Sequence, residues 1–127
     1  LEVEALCARL AAQRITPALL AELQCQADGF ARVQPDNLKS LFDIDHRFHR
    51  LLATAARNDF LQKEMEMFYN LSLRIWYLAL AHVRPRDIDV QAHLDILAAC
   101  ERRDPYAAEQ RMREHINHFH RAVKEHL

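Results

Sequence analysis

One glycine, Gly29, and four prolines are all that 127 residues contain of the two strongest chain-breakers. Scarce glycine with abundant Ala, Leu, Arg and Glu argues against a β fold and for an all-helical one. Cysteine is also sparse. Cys7, Cys25 and Cys100 are odd in number and far apart, which excludes a disulfide framework and reads as reduced, partly buried thiols of a cytoplasmic protein. Charge of one sign is missing too: the formal net charge is −1. A balance so close to zero gives no electrostatic footprint for nucleic acid, so this chain alone is not expected to grip DNA. No apolar run approaches the ~18 residues of a membrane span, and no signal peptide is visible, so no membrane is expected as a partner. The chain opens at Leu1 already in helical pattern and without an initiator Met. It is expected to be part of a longer protein.

What is present is a hydrophobic half: 50% of the residues are apolar, enough for one domain to bury most of its apolar surface. Helix signals follow one another along the whole length. Residues 1–14 form an Ala/Leu-rich amphipathic segment. Thr16-Pro17 supplies an N-cap and a proline at the first helical position, and Gly29 marks the end of that second helix. Pro35-Asp36 opens a third helix that ends near Arg57-Asn58, where Asn tolerates a left-handed C-cap. Asp59 caps a fourth, long helix running to about His82, and Val83-Arg84-Pro85-Arg86 forms a turn. A fifth runs from about Asp87 to Arg102, and Asp104-Pro105 opens a sixth that continues to the C-terminus. With short connections these make an antiparallel all-α bundle of about six helices.

Four residues interrupt the apolar stripes of this bundle. In the third helix the stripe reads Leu38, Leu41, Asp45, Phe48, Leu52, Ala55, with His49 beside Phe48. In the fifth it reads Val90, His93, Leu97, Cys100, and in the sixth Ala108, Met112, His115, Phe119, Ala122. A buried carboxylate without a partner costs roughly several kcal/mol and tends to neutralise. Asp45 and His49 are four apart and share one helical face. A divalent metal accepts neutral imidazole nitrogens and a carboxylate oxygen together. Asp45, His49, His93 and His115 are therefore expected to form one metal site inside the bundle. Zn, Ni, Mn, Co and Fe all suit such ligands, with Zn slightly favoured. The other histidines are controls. His46 points to a different face, His82 suits a helix C-terminus, His118 is one turn from His115 but expected to be solvated, and His120 and His126 are expected in solvent.

In the fourth helix Phe60, Met67, Leu71, Arg74 and Leu78 share a stripe, so a guanidinium intrudes on an apolar face. One Asp and a divalent cation carry about +1 charge. Four protein ligands leave two octahedral positions open. A small carboxylate could fill them, with its other end forked onto Arg74. Tyr69, Asn70 and Ser72 are further candidates for the pocket wall.

These same residues resemble a known family. Asp45-His46-Arg47-Phe48-His49-Arg50-Leu51-Leu52, followed by Ala55, Asn58 and Leu61, is similar to the D-x-x-F-H-x-x-L…A-x-x-N-x-x-L pattern of the FCD domain. That is the C-terminal effector-binding domain of GntR-family bacterial transcription regulators of the FadR subfamily. Ala92-His93 through Leu97 resembles its E-H-x-x-I-x-x-A element, with Ala in place of Glu. Asp104, Ala107-Ala108, Met112 and His115 resemble its D-x-x-A-A…M-x-x-H ending. The resemblance spans residues 1–127, and six helices are closer to the VanR-like branch. It implies a divalent metal on the Asp and three His and a small organic acid beside it. It also implies a homodimer and a winged helix-turn-helix DNA-binding domain N-terminal to this chain. The full ligand set argues against a fatty acyl effector.

The function expected is a non-enzymatic one: a metal-dependent effector sensor in the bacterial cytoplasm that biases DNA binding by the attached domain. The alternatives are a metalloenzyme acting on a small carboxylate and a structural helical interaction domain.

Overall fold

The computed structural model describes residues 2–34, 36–79, 84 and 88–125, and of residues 76–79 and 123 the backbone only. Six α-helices follow in order: α1 Glu2–Arg14, α2 Pro17–Gly29, α3 Leu38–Ala55, α4 Asp59–Ala79, α5 Val90–Glu101 and α6 Pro105–Lys124, with a 3-10 turn, Phe30–Arg32, after α2. Among the described residues there is no strand. No described helix is long and apolar enough to cross a membrane.

Side-chain caps fix where these helices start. Thr16 accepts from the Leu19 amide at 3.2 Å with Pro17 behind it, and Asp104 accepts from Ala107 at 3.0 Å with Pro105 behind it. Each satisfies an amide that has no partner inside its helix. Three boundaries differ from the sequence reading. α3 begins at Leu38, where Asn37 caps the Ser40 amide at 3.2 Å, later than the Pro35-Asp36 start expected. Between α3 and α4 the left-handed residue is Arg57, φ 53°, and not Asn58. Asn58 instead spends its side chain capping the Leu61 amide at 3.1 Å, a role expected of Asp59. An Asn that faces an open helix start gains more as an acceptor than as a left-handed residue. α5 begins at Val90 with Asp89 as its cap. The expected His82 end of α4, most of the 83–86 turn, Asp87 and His126 lie outside the described residues.

The core gathers where α1, α3, α5 and α6 meet. Phe48 and Leu52 of α3, Ile96 and Cys100 of α5, and Met112 of α6 are essentially buried, as is Leu23 of α2. α1 contributes mostly alanines: Ala5, Ala8, Ala11 and Ala12 are all fully buried. Small side chains let α1 lie close along α6. Two guanidiniums tie helix ends together by capping carbonyls: Arg14 reaches Ala56 O at 3.0 Å and Arg103 reaches Ile15 O at 2.9 Å. Burial pushes the Cys7 thiol up to about 11 and the Cys100 thiol up to about 12, so both behave as small apolar side chains.

Gly29 holds an ordinary right-handed conformation, φ −59°, as α2 tightens into the 3-10 turn. A Cβ there would meet Ile44 Cδ1 at 3.5 Å, ordinary contact. Gly29→Ala is therefore expected to stabilise the domain by about 0.5–1 kcal/mol, through loss of unfolded-state entropy. Leu23→Ala, which empties a fully buried site, is expected to cost about 2–5 kcal/mol. Urea unfolding midpoints check both, and a destabilised Gly29→Ala would refute the packing described.

Candidate metal centre

α3 presents Asp45 and His49 one turn apart, α5 presents His93, and α6 presents His115. The helices bring all four together. One ligand atom from each lies within 4.8 Å of all the others. Asp45 Oδ1 is 2.6 Å from His93 Nε2 and 3.2 Å from His49 Nε2, and His49 Nε2 is 3.2 Å from His115 Nε2. The three imidazoles are buried, His93 completely. Phe30 and Phe48 hold the His93 ring between them, each with its ring centre 5.0 Å away.

The chemistry of His93 decides what belongs at the centre. Its Nδ1 lies 2.7 Å from the Asp89 carbonyl oxygen. A carbonyl can only accept, so Nδ1 carries the hydrogen, and in a neutral ring Nε2 is a bare lone pair. That lone pair faces a carboxylate oxygen at 2.6 Å, an arrangement that requires a positive charge between them, either a proton or a metal ion. Asp89 thus does two things: its side chain caps the Ala92 amide at 3.0 Å, and its carbonyl orients the ring one turn on. Metal-bound histidines characteristically donate their second nitrogen in this way. The Glu of the family pattern, here Ala92, is not needed for that contact.

Neighbouring groups set the protonation of the centre, and a metal would bind it with Asp45 ionised and the imidazoles neutral. Burial opposes charge on Asp45, but the charges and hydrogen bonds of His49 and His93 outweigh it and hold the carboxyl well below the usual carboxylate range. Burial likewise opposes a proton on His49, yet Asp45 outweighs it and raises the imidazole above its ordinary value. His115 has no such help: burial, then the neighbouring His49 and His93, push it down to about 3. A proton on His49 Nε2 can satisfy Asp45 or His115. A divalent cation at the same place satisfies all four, and adjacent ligands at bond lengths of ~2.1 Å stand about 3 Å apart, close to the spacings here. The residues present fit a metal. The loosest part is His115, whose buried Nδ1 has no hydrogen-bond partner among the described residues.

Beside the centre lies a cavity of about 80 Å³. Asp45, His49 and His115 form its metal-side wall. α4 gives it Met65, Phe68, Tyr69 and Ser72, a four-residue helical face, and Ile88, Ile116 and Phe119 close it with apolar surface. Tyr69 and Ser72 were expected from sequence, as was an apolar wall; the particular residues Met65 and Phe68 were not, although the spacing of 65, 68, 69 and 72 is a one-face pattern. Glu4 and His120 also line it, so His120, exposed as expected, is not remote from the site. His46 stacks on Tyr69 with ring centres 3.8 Å apart. His118 is exposed.

Arg74 and Asn70 are not brought to the cavity; both are exposed. The stripe that made Arg74 look intrusive is itself on the outside: Phe60 is 72% exposed, and Met67 and Leu71 each 52%. A guanidinium on that face meets water and not a core.

Comparison with known proteins identifies the family and the fold. The FCD domain model matches residues 1–118. The HTH-type transcriptional repressor RspR of Escherichia coli (strain K12) is 27% identical over 124 residues, 97% of this chain and 54% of that protein. The HTH-type transcriptional regulator YcbG of Bacillus subtilis (strain 168) is 32% identical over 110 residues, 84% of this chain and 44% of that protein. The chain therefore spans about half the length of the curated relatives it matches. Among solved structures, E. coli McbR/YncC superposes with a TM-score of 0.87 at 16% identity, covering 98% of this chain and 60% of that one, which shows the same fold. By sequence pattern, helical architecture and family match, this chain belongs to the FCD domain family.

Proposed function

We propose that this chain is the metal-dependent, effector-sensing part of a transcription regulator. In this reading a divalent ion sits on Asp45, His49, His93 and His115, and a small organic acid binds beside it. An attached winged helix domain, in a dimer, reads the outcome on DNA in the bacterial cytoplasm. The observation that carries it is the convergence of four donor atoms from three helices within 4.8 Å, at the wall of a cavity. The family match and the relatives' names as regulators favour sensing over catalysis. When bound, the ion supplies a fixed positive charge and open coordination positions for an anion. The chain's own residues supply the rest. Asp89 O fixes the His93 tautomer, and Tyr69 and Ser72 offer neutral hydrogen-bond donors at the wall. Binding is felt by α3, α5 and α6 at once, so an acid that prefers one arrangement of these helices shifts their equilibrium.

One equivalent of metal per chain is expected by elemental analysis. His93→Ala and His115→Ala should each weaken metal binding beyond the about 10–100-fold usual for losing an outer partner, while His46→Ala keeps the metal. Full metal in both ligand variants would overturn the centre.

Metal should also stabilise the fold by about 4 kcal/mol when its concentration is 1,000 times the dissociation constant, so a chelator should lower the melting temperature. An unchanged melt after verified metal removal would refute this. In chelator the pH dependence has a definite sign. His115, held at about 3, stays neutral in the fold while the unfolded ring takes a proton below 6.5. Stability therefore falls as pH drops from 6.5 toward 3, by up to about 1.4 kcal/mol per pH unit. Asp45 adds stability that is present above 3.8 and lost as pH falls through its lower folded value. His49, raised, adds stability that is complete below 6.5 and lost as pH rises through its folded value. These three groups place the optimum near 6.5, and His115→Gln should flatten the acid limb in melts recorded between pH 6.5 and 4.

A further inference from the structure

We infer that the cavity selects a short, singly charged acid with an apolar body, a branched-chain monocarboxylate, and discriminates against dicarboxylates. The inference rests on the sensing role proposed above and narrows its ligand by the cavity wall. A divalent ion with Asp45 leaves about one positive charge, enough for one carboxylate. Beyond the ligands the wall turns apolar, through Met65, Phe68, Ile88, Ile116 and Phe119. A second carboxylate pressed against that surface loses its hydration, and among the described lining residues the His120 imidazole is the one basic group beyond the centre. Among the described residues no Lys or Arg lines the cavity, and Arg74 lies on the outer face of α4.

The polar groups on α4 suit a single carboxylate. Tyr69 and Ser72 are neutral donors on the same helical face. Burial, then the nearby charges of Asp45 and Asp43, push the Tyr69 phenol well above its ordinary value, so it keeps its proton to donate. Stacking on His46 at 3.8 Å fixes its ring. The volume, about 80 Å³, suits a body of only a few carbons.

Matched pairs test this directly. Zinc-loaded protein is titrated calorimetrically with 3-methylbutanoate and methylsuccinate, and with butanoate and succinate; each pair exchanges one methyl for a carboxylate. The monocarboxylate is expected to bind at least about tenfold tighter within each pair. Phe68 is 42% exposed, so a guanidinium there can reach the cavity rim without emptying the core. Phe68→Arg should narrow or reverse the preference, and Phe68→Ala should weaken 3-methylbutanoate more than methylsuccinate. Metal content and a thermal melt of the same samples verify the fold. Equal or tighter binding of the diacids to the unaltered protein would overturn this inference and leave the sensing role standing. Failure of all four acids on protein verified to hold zinc would overturn both.

Discussion

A carboxylate withdrawn from water among imidazoles is the constraint on which the bundle turns. Asp45 is shielded by three helices, and its charge survives only because His49 and His93 supply compensating hydrogen-bonded groups. Each of those groups is itself buried and therefore expensive without Asp45. The centre thus makes the packing of α3, α5 and α6 conditional: displace one helix and the others are left with unpaired polar atoms. A hydrophobic core tolerates small sliding because contact with one apolar atom resembles contact with another. A polar centre has few acceptable arrangements, which is a useful property where a helix rearrangement has to carry information.

The site is built in two materials. Its Asp/His side is polar and specified atom by atom, from the Phe30 and Phe48 rings that grip His93 to the main-chain oxygen that sets its tautomer. Its far side is a soft apolar wall on α4 and α6. In the proposed sensor, charge would fix where an acid's head sits, and shape would decide which bodies fit behind it. Evolution can then alter the second without disturbing the first, because no wall side chain among Met65, Phe68 and Ile88 is a ligand atom donor.

The helices and the four centre residues were legible in the sequence because both rest on local periodicity. A polar residue in an apolar stripe at 3.6-residue spacing announces itself, and Asp45, His93 and His115 each do so in a separate helix. The caps at Thr16 and Asp104 were equally plain, being dictated by the proline that follows. What failed was any choice between two answers of similar local merit. α4 has two apolar faces. The one through Phe60, Met67 and Leu71 was read as inward, but the one through Met65 and Phe68 lines the cavity. Periodicity marks that a face is apolar; only its neighbours settle whether it is buried. Arg74 was misread with that face. The Asn58 exchange has the same origin, since Asn serves equally well in a left-handed turn or as an N-cap. Asp89 O went unnoticed because a backbone acceptor leaves no trace in the identity of its residue.

That last contact separates two kinds of heritable risk. Side chain 89 can change and weaken the start of α5, since only Asp, Asn, Ser or Thr caps it well. The oxygen that locks His93 is part of the peptide itself, present whatever residue occupies the position. The orientation of His93 is therefore protected against point substitution at its own support, while the helix start is not. Drift at position 89 would loosen the helix that carries His93 before it touched the proton on its ring.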